Sequence, residues 1–368
     1  MATEWAGIIN TTITKYLKGA EDLTIRNRLE LAFLESRGLI KKSQSGTDIE
    51  WRQLMKHPPV SSYADGSTID FSRRDLYAKA LLDWRSYQVT DALTQKEEYM
   101  NSGAEAIIRR VDEIIPNLTT ALRNKVCAEL YTDGYASNNQ DRLCGFDSFT
   151  GTSTTVAADK IAKPDDTYAT VATALGTAGG SWSTGLTTFP NANVATDWPY
   201  GQSQTPEYDY WTPKLVNWSS TSWGTGTTTW EDNCERALRE AYQFTVVTGG
   251  KDGMPDITIL APNLMVGFQN HFSAKQRIMV PHKEANDLGF PNTLNFDGVG
   301  VTSSFDVAAN TGYQWNFDQV SLLLLSPQLF VPAKDQDLTK DAKLFKLGFY
   351  GNLKFETPKF FAKLKNYA

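Results

Sequence analysis

Near the carboxyl end, Phe345, Leu347, Phe349, Leu353 and Phe355 fall at alternating positions, broken only by Gly351, with Lys346, Tyr350, Asn352, Lys354 and Glu356 between them. Period two marks a half-buried strand, because successive side chains of an extended chain point to opposite faces. Pro358 follows, and then Phe360, Phe361 and Leu364 bring enough apolar surface to bury. The pattern therefore predicts a carboxyl end that is tied down, where chain ends ordinarily fray.

The amino-terminal half carries a different period. Between residues 3 and 18, Trp5, Ile8, Ile9, Ile13, Tyr16 and Leu17 share one helical face, and a second helical pattern runs from Glu21 to Arg37 with Gly38 as its stop. Neither helix has a core of its own to cover, so each is expected to pack on a distant surface. Trp5, Ile9, Ile13 and Tyr16 are the expected contacts of this arm. The strongest helical signal spans 103–131, where Ile107, Ile108, Val111, Ile114, Ile115, Leu118, Leu122, Val126 and Leu130 recur at steps of three and four. At 1.5 Å per residue that helix would be roughly 40 Å long, with Pro116 placed to kink it.

Between these helices, residues 47–92 read as two strand-like runs around Pro58, Pro59 and the reversal "YADGST". The expected product is a long hairpin with mixed faces, which needs a foreign surface because a two-stranded ribbon is marginal in water. From Gly151 to Thr229 the composition shifts to Gly, Ser, Thr, Ala and Trp with few charges, as in an insertion folded down by its aromatic residues. After Trp230, helices alternate with strands at "DITILAP", "GVGVTSSF" and "QVSLLLLSP", which predicts an α/β or α+β domain.

Composition narrows the function classes. A chain of 368 residues, 41% hydrophobic and 21% charged, can bury a large core in two or three domains. The net charge of −6 argues against a surface that grips a phosphate backbone. The first residues lack a secretory signal pattern and "VSLLLLS" is too short for a bilayer, so a soluble, cytoplasmic chain is expected. Cys127, Cys144 and Cys234 form no CxxC pair and are expected to be buried thiols.

Chemistry-bearing patterns are sparse. His57, His271 and His282 stand at no metal-ligand or catalytic spacing, and no nucleophile elbow or phosphate-binding loop is present. The oxygen-rich "DGYASNNQD" lacks the glycine and terminal glutamate of a calcium loop and reads as a polar turn. The charges of "WEDNCERALRE" read as a solvated helix face. The expectation is a protein that is not an enzyme and uses no metal or cofactor. Trp182, Trp198, Trp211, Trp218, Trp223 and Trp230 could instead stack on a sugar, an alternative that makes the chain a carbohydrate-binding protein.

Taken in order, several stretches resemble one family. "LAFLESRGLIKKSQSGTDIEW", "YMNSGAEAIIRRVDEIIPNLTTALRNKVCAELYTDG" with Leu130, Tyr131, Asp133 and Gly134, "RLCGFDSFTG", "PEYDYWTPKL", "PDITILAPNLMVGFQNHF" and "GNLKFETPKFFAKL" resemble successive landmarks of the tailed-phage major capsid proteins with the Hong-Kong-97-like fold. Each motif alone is tolerant; the ordered set spans nearly the whole chain. The resemblance implies an α+β fold with an amino-terminal arm (1–45), an extended hairpin loop (46–93), a peripheral domain with a spine helix (94–150), an insertion or loop region (151–229), an axial domain (230–340) and a return strand and tail of the peripheral domain (341–368).

It also implies hexamers and pentamers closing into an icosahedral virion shell, assembled in the host cytoplasm around double-stranded DNA without sequence-specific contact. A separate scaffolding protein, a portal and room for decoration proteins are the implied partners, with no membrane. The hairpin is then expected to overlap an adjacent subunit, led by Trp51, Met55, Leu82 and Trp84, with Arg73, Arg74 and Arg85 at the rim. Phe345, Leu347, Phe349, Leu353 and Phe355 would form the core of the closing strand. An encapsulin-type compartment, which shares the fold and encloses protein cargo, is the alternative within the same architecture.

Overall fold

The computed structural model describes residues 29–54, 62–68, 71, 77–100, 110–152, 160–162, 164–173, 211–274, 293–337 and 341–367. Two sheets organise it. The first has five strands: β1 (Ile40–Lys41), β4 (Arg85–Thr94), β12 (Val320–Leu324), β13 (Val331–Asp337) and β14 (Ala342–Phe355). The second has six, in the order β7 (Lys214–Asn217), β15 (Ala362–Lys365), β11 (Thr311–Trp315), β8 (Ile257–Leu260), β10 (Val299–Ser303) and β9 (Leu294–Phe296). A separate pair, β2 (Asp48–Leu54) and β3 (Tyr77–Asp83), forms the hairpin stem, and β5 (Thr167–Tyr168) and β6 (Val171–Ala172) form a short ribbon.

The 14-residue strand β14 is the axis of the first sheet. Along 342–351 it pairs antiparallel with β4. Its other edge is shared by β13 opposite 342–348 and β12 opposite 351–355. Gly351 stands where both edges are occupied, and a Cβ there would lie 2.3 Å from the Leu323 carbonyl oxygen, so only glycine fits. Phe345, Leu347, Phe349, Leu353 and Phe355 all point inward and are buried.

Among the described residues five helices accompany the sheets: α1 (Leu29–Ser36), α2 (Gln95–Met100), α3 (Arg110–Glu129), α4 (Trp230–Gly249) and α5 (Pro262–Ala274). Helix α3 lies on β4 and β14 through Ile114, Leu118, Leu122 and Val126, the stripe its period foretold, with Pro116 inside it. Helices α4 and α5 pack on each other and on the second sheet, and Glu231 and Asp232 sit where the positive end of the α4 dipole favours acid. No helix among the described residues is long and apolar enough to cross a membrane.

Three boundaries differ from those read in the sequence. Residues 85–94 leave the hairpin and join the first sheet, so the paired stem ends at Asp83. Strands β12 and β13, placed by sequence in the axial domain, pair instead with β14 beside the spine helix α3. The tail crosses the other way: β15 lies between β7 and β11 in the second sheet. Each difference has the same cause, since period and composition identify a strand but long-range backbone pairing decides its sheet.

The sheets meet in one aromatic cluster. Phe146 and Phe149, just beyond α3, contact Phe355 of the first sheet, Tyr313 and Trp315 of the second, and Phe361 in the crossing segment, with ring centroids 4.8–5.8 Å apart. Such edge-on and tilted packing adds about 0.5–1.5 kcal/mol per pair beyond area burial. The cluster makes the two sheets one core.

Candidate assembly surface

The hairpin stem is amphipathic in register. Ile49 faces Leu82 and Trp51 faces Ala80 across the ladder, and all four are buried. They face this chain's own core: the Trp51 ring lies 6.3 Å from Tyr168 and 6.4 Å from Trp211, with the Lys354 ammonium 5.0 Å above it. The Trp51 indole N–H and the Gln53 side-chain amide both donate to the Glu356 carbonyl, at 3.2 and 2.9 Å. Trp51 and Leu82, expected to lead a contact with a neighbour, therefore spend their apolar surface inside the subunit. Trp84 is half-buried with its indole N–H on the Gly46 carbonyl, and Arg85 is largely covered beside Asp83. Met55, Arg73, Arg74 and the arm residues Trp5, Ile9, Ile13 and Tyr16 lie outside the described residues.

Beyond the stem the hairpin changes character. Leu54 and Tyr77 are cross-strand partners at the far end of the ladder and are 42% and 63% exposed. Farther out, the chain reverses in a turn closed by the Ser67 N–H donating to the Ala64 carbonyl at 3.0 Å, with Gly66 at φ +82. A positive φ at the third turn position is the geometry that glycine supplies. Tyr63 beside this turn is 73% exposed and Phe71 is 90% exposed. Single exposed apolar residues are ordinary, and four of them within 54–77 make these residues a candidate contact surface.

The outer face of the stem is charged. Glu50 accepts an ion pair from Lys79 at 2.8 Å, next to Arg52, Asp48 and Asp83, all exposed to solvent. Mixed signs of this kind fix register and reject wrong partners more than they add affinity. Sequence reasoning missed Leu54, Tyr63, Phe71 and Tyr77. Their signal was present as apolar residues at the end of the stem, Leu54 and Tyr77, and as the aromatic Tyr63 and Phe71 in an otherwise polar stretch.

The remaining candidate chemistry resolves into structure. Among the described residues no group of three His, Cys, Asp or Glu could hold a metal ion. The His271 ring lies 3.4 Å from the Glu235 carboxylate. Cys127, Cys144 and Cys234 are buried, and burial pushes the Cys144 thiol up, away from the reactive thiolate. Around Asp133 the polar loop is self-bonded, the Tyr135 N–H donating to its carboxylate and the Asn139 side chain to its carbonyl. Arg239 pairs with Glu235 at 3.0 Å and Asp297 at 2.9 Å on the wet face of α4.

The tryptophans offer no sugar platform among the described residues. Trp211, Trp218, Trp223 and Trp230 are buried, and the last three donate their indole N–H to the carbonyls of Asn310, Asn217 and Leu264. They pin the segment before α4 to the second sheet. Trp182 and Trp198 lie outside the described residues.

The chain is similar to the capsid asymmetric unit of cyanophage A-1(L) over 96% of this chain and 96% of that one, at 15% identity and TM-score 0.59. The fold is the Hong-Kong-97-like capsid fold. It is shared with the capsid of a native GTA particle over 100% and 98% of the two chains, at 10% identity and TM-score 0.56. The holo-SrpI encapsulin complex of Synechococcus elongatus has it too, over 98% and 94%, at 11% identity and TM-score 0.55. No protein-family model matches the chain, and no curated protein is similar to it in sequence.

Proposed function

We propose that this chain is the major capsid protein of a tailed double-stranded DNA phage, a structural subunit that assembles into hexamers and pentamers of an icosahedral virion shell. The observation that carries the reading is the match over the whole length of the chain to the cyanophage capsid subunit. A projecting hairpin whose outermost apolar residues have no place in their own subunit supports it. Each large apolar side chain moved fully from water into a neighbour contributes about 1.5–3 kcal/mol, so Leu54, Tyr63, Phe71 and Tyr77 supply a directional, head-to-tail contact. Repeated around an axis, such a contact closes a ring.

The net charge of −6 fits a shell that encloses a genome without gripping it. A separate scaffolding protein, a portal and decoration proteins are the further partners on this reading, and assembly takes place in the host cytoplasm. Charge reversal at Arg73 and Arg74 is expected to weaken the rim of the hairpin contact.

A second reading, a compartment shell around protein cargo, is favoured by the comparable likeness to the encapsulin complex. Particle sizing of the purified protein by light scattering and electron microscopy, with nuclease-protected nucleic acid and copurifying protein measured on the same sample, tests both. Uniform shells holding or able to hold DNA are the expected result. Shells loaded with a single protein cargo and no nucleic acid would transfer the assignment to the second reading. A 41.0 kDa monomer unchanged across salt, concentration and added scaffold would remove both.

A further inference from the structure

Glu30 has an unusual position. It lies in the short helix α1, sequence LELAFLES, among Leu29, Leu31, Phe33 and Leu34, and is itself fully buried. Its Oε1 accepts a hydrogen bond from the Tyr131 hydroxyl at 2.5 Å. Among the described residues its Oε2 has no hydrogen-bond partner within bonding geometry, and neither has the buried Ser304 hydroxyl that faces it from the loop after β10. The charged group acting on it is the carboxylate of Asp306 in that same loop, a like charge, and the titratable group facing it from the end of α3 is Tyr131. Three regions meet at this one carboxyl: the helix that follows the amino-terminal residues, the end of the spine helix, and a loop of the second sheet.

A buried carboxylate is tolerated only with a cation or several donors around it. Among the described residues Glu30 meets no cation: the Tyr131 hydroxyl donates to it, the Ser304 hydroxyl and its own backbone lie close, and Asp306 is a neighbouring acid. A carboxylic acid suits the site better, since its O–H can donate to the Ser304 hydroxyl while Oε1 still accepts from Tyr131. Burial, reinforced by Asp306, holds this carboxyl above the usual glutamate range.

The rest of α1 explains what the carboxyl controls. Phe33 stacks on Phe317 at 5.1 Å, Arg37 pairs with Asp256 at 2.8 Å, and β1 then joins β12 of the first sheet. Helix α1 is a strap tied to the junction of the two sheets, through Phe33 and Arg37 on one side and β1 on the other. We propose that Glu30 is a proton-held latch on this strap: in its neutral form it seats α1 on Tyr131 and the 304–306 loop, and its deprotonation as pH rises loosens that seat. The latch depends on the geometry of this subunit and not on what a shell would contain.

The sign follows from linkage. An acid whose seated form holds its proton more tightly than its released form contributes stability that is full below the ordinary glutamate range and is lost as pH rises through the elevated value. Above that range the ratio of seated to released helix falls by up to about tenfold per pH unit until the elevated value is passed.

Hydrogen exchange of the peptide spanning residues 29–36 in the full-length protein, corrected for the intrinsic pH dependence of exchange, reads this directly. Protection of α1 is expected to fall by about tenfold or more between roughly pH 5 and pH 9 in the native chain and to stay flat in Glu30→Gln, whose amide keeps the acceptor for Tyr131. Parallel pH profiles in the two proteins would overturn the latch. Should Glu30→Gln fail to fold, Asp306→Asn provides the second reading. Removing the like charge eases deprotonation of the seated form, so the loss of protection should stop at lower pH and be smaller in total; a loss as large as in the native chain, or larger, would overturn it equally.

Discussion

The carboxyl tail and the hairpin are both extended segments that carry aromatic side chains away from the sheet they start in, and only the tail finds a place for them in its own chain. Phe360 and Phe361 turn inward behind Pro358, Phe361 is fully buried against Phe146, Phe149 and Phe355, and β15 then fills a gap between β7 and β11. The hairpin does this only at its base, where Trp51 and Leu82 are covered, and then leaves Leu54, Tyr63, Phe71 and Tyr77 in water. A burial map of one subunit thus separates apolar residues that build the fold from those that await a partner. The difference assigns the tail to folding and, on the proposed function, the hairpin tip to association.

The largest expected effect on the stability of the isolated chain comes from emptying the tail's anchor. Phe361→Ala removes a ring that three other rings surround, and truncation of a buried phenylalanine costs about 3–5 kcal/mol. Denaturant unfolding of the subunit should show the loss as a lower midpoint with an unchanged slope. A loss below about 1 kcal/mol would mean that the tail can leave the core at little cost, and the contrast with the hairpin would collapse.

Next comes the polar anchor of the same segment. Lys363 is almost wholly buried and donates to the Asp147 carboxylate at 2.7 Å and the Thr150 hydroxyl at 2.9 Å, while the Tyr313 hydroxyl donates to the same carboxylate oxygen at 2.9 Å. Desolvation pulls the Lys363 ammonium down, and Asp147 opposes it. Lys363→Met keeps the apolar stem and removes the charge. Asp147 retains Tyr313 and some exposure, so the expected cost is about 1–3 kcal/mol, less than for Phe361→Ala. The two midpoints, measured side by side, rank the anchors.

These same segments show what the sequence could carry. Alternation alone identified β14 and the inward set from Phe345 to Phe355, because a half-buried strand writes its buried face into every second residue. The stripe of α3 was equally readable. The hairpin face was not, since both faces carry apolar residues and the choice is made by Tyr168 and Trp211, more than a hundred residues away. The sheet membership of β12, β13 and β15 was hidden for a related reason: an apolar run such as Val320–Leu324 suits any interior strand, and only its pairing with 351–355 places it. Glu30 had a faint signal, a lone acid inside LELAFLES, which becomes meaningful only when Tyr131 and Ser304 are brought to it.

The smallest effect on subunit stability is expected where the effect on assembly is greatest. Substituting Tyr63, Phe71 and Tyr77 together by Ser removes side chains that are 73%, 90% and 63% exposed, so each should change the unfolding free energy by no more than about 0.5 kcal/mol. The same triple variant should lose its rings or shells in sedimentation, because a contact that each subunit both gives and receives is weakened at every copy around the ring. Trp51→Ala supplies the opposite control: its ring is packed within the subunit, so it should lower the midpoint and reduce assembly only in proportion to the unfolded fraction. If the triple variant were destabilised as much as Trp51→Ala, the tip would be part of the subunit's own core. If it assembled normally, the outward aromatic residues would have no partner in a neighbouring copy, and the association role would pass to other exposed surface.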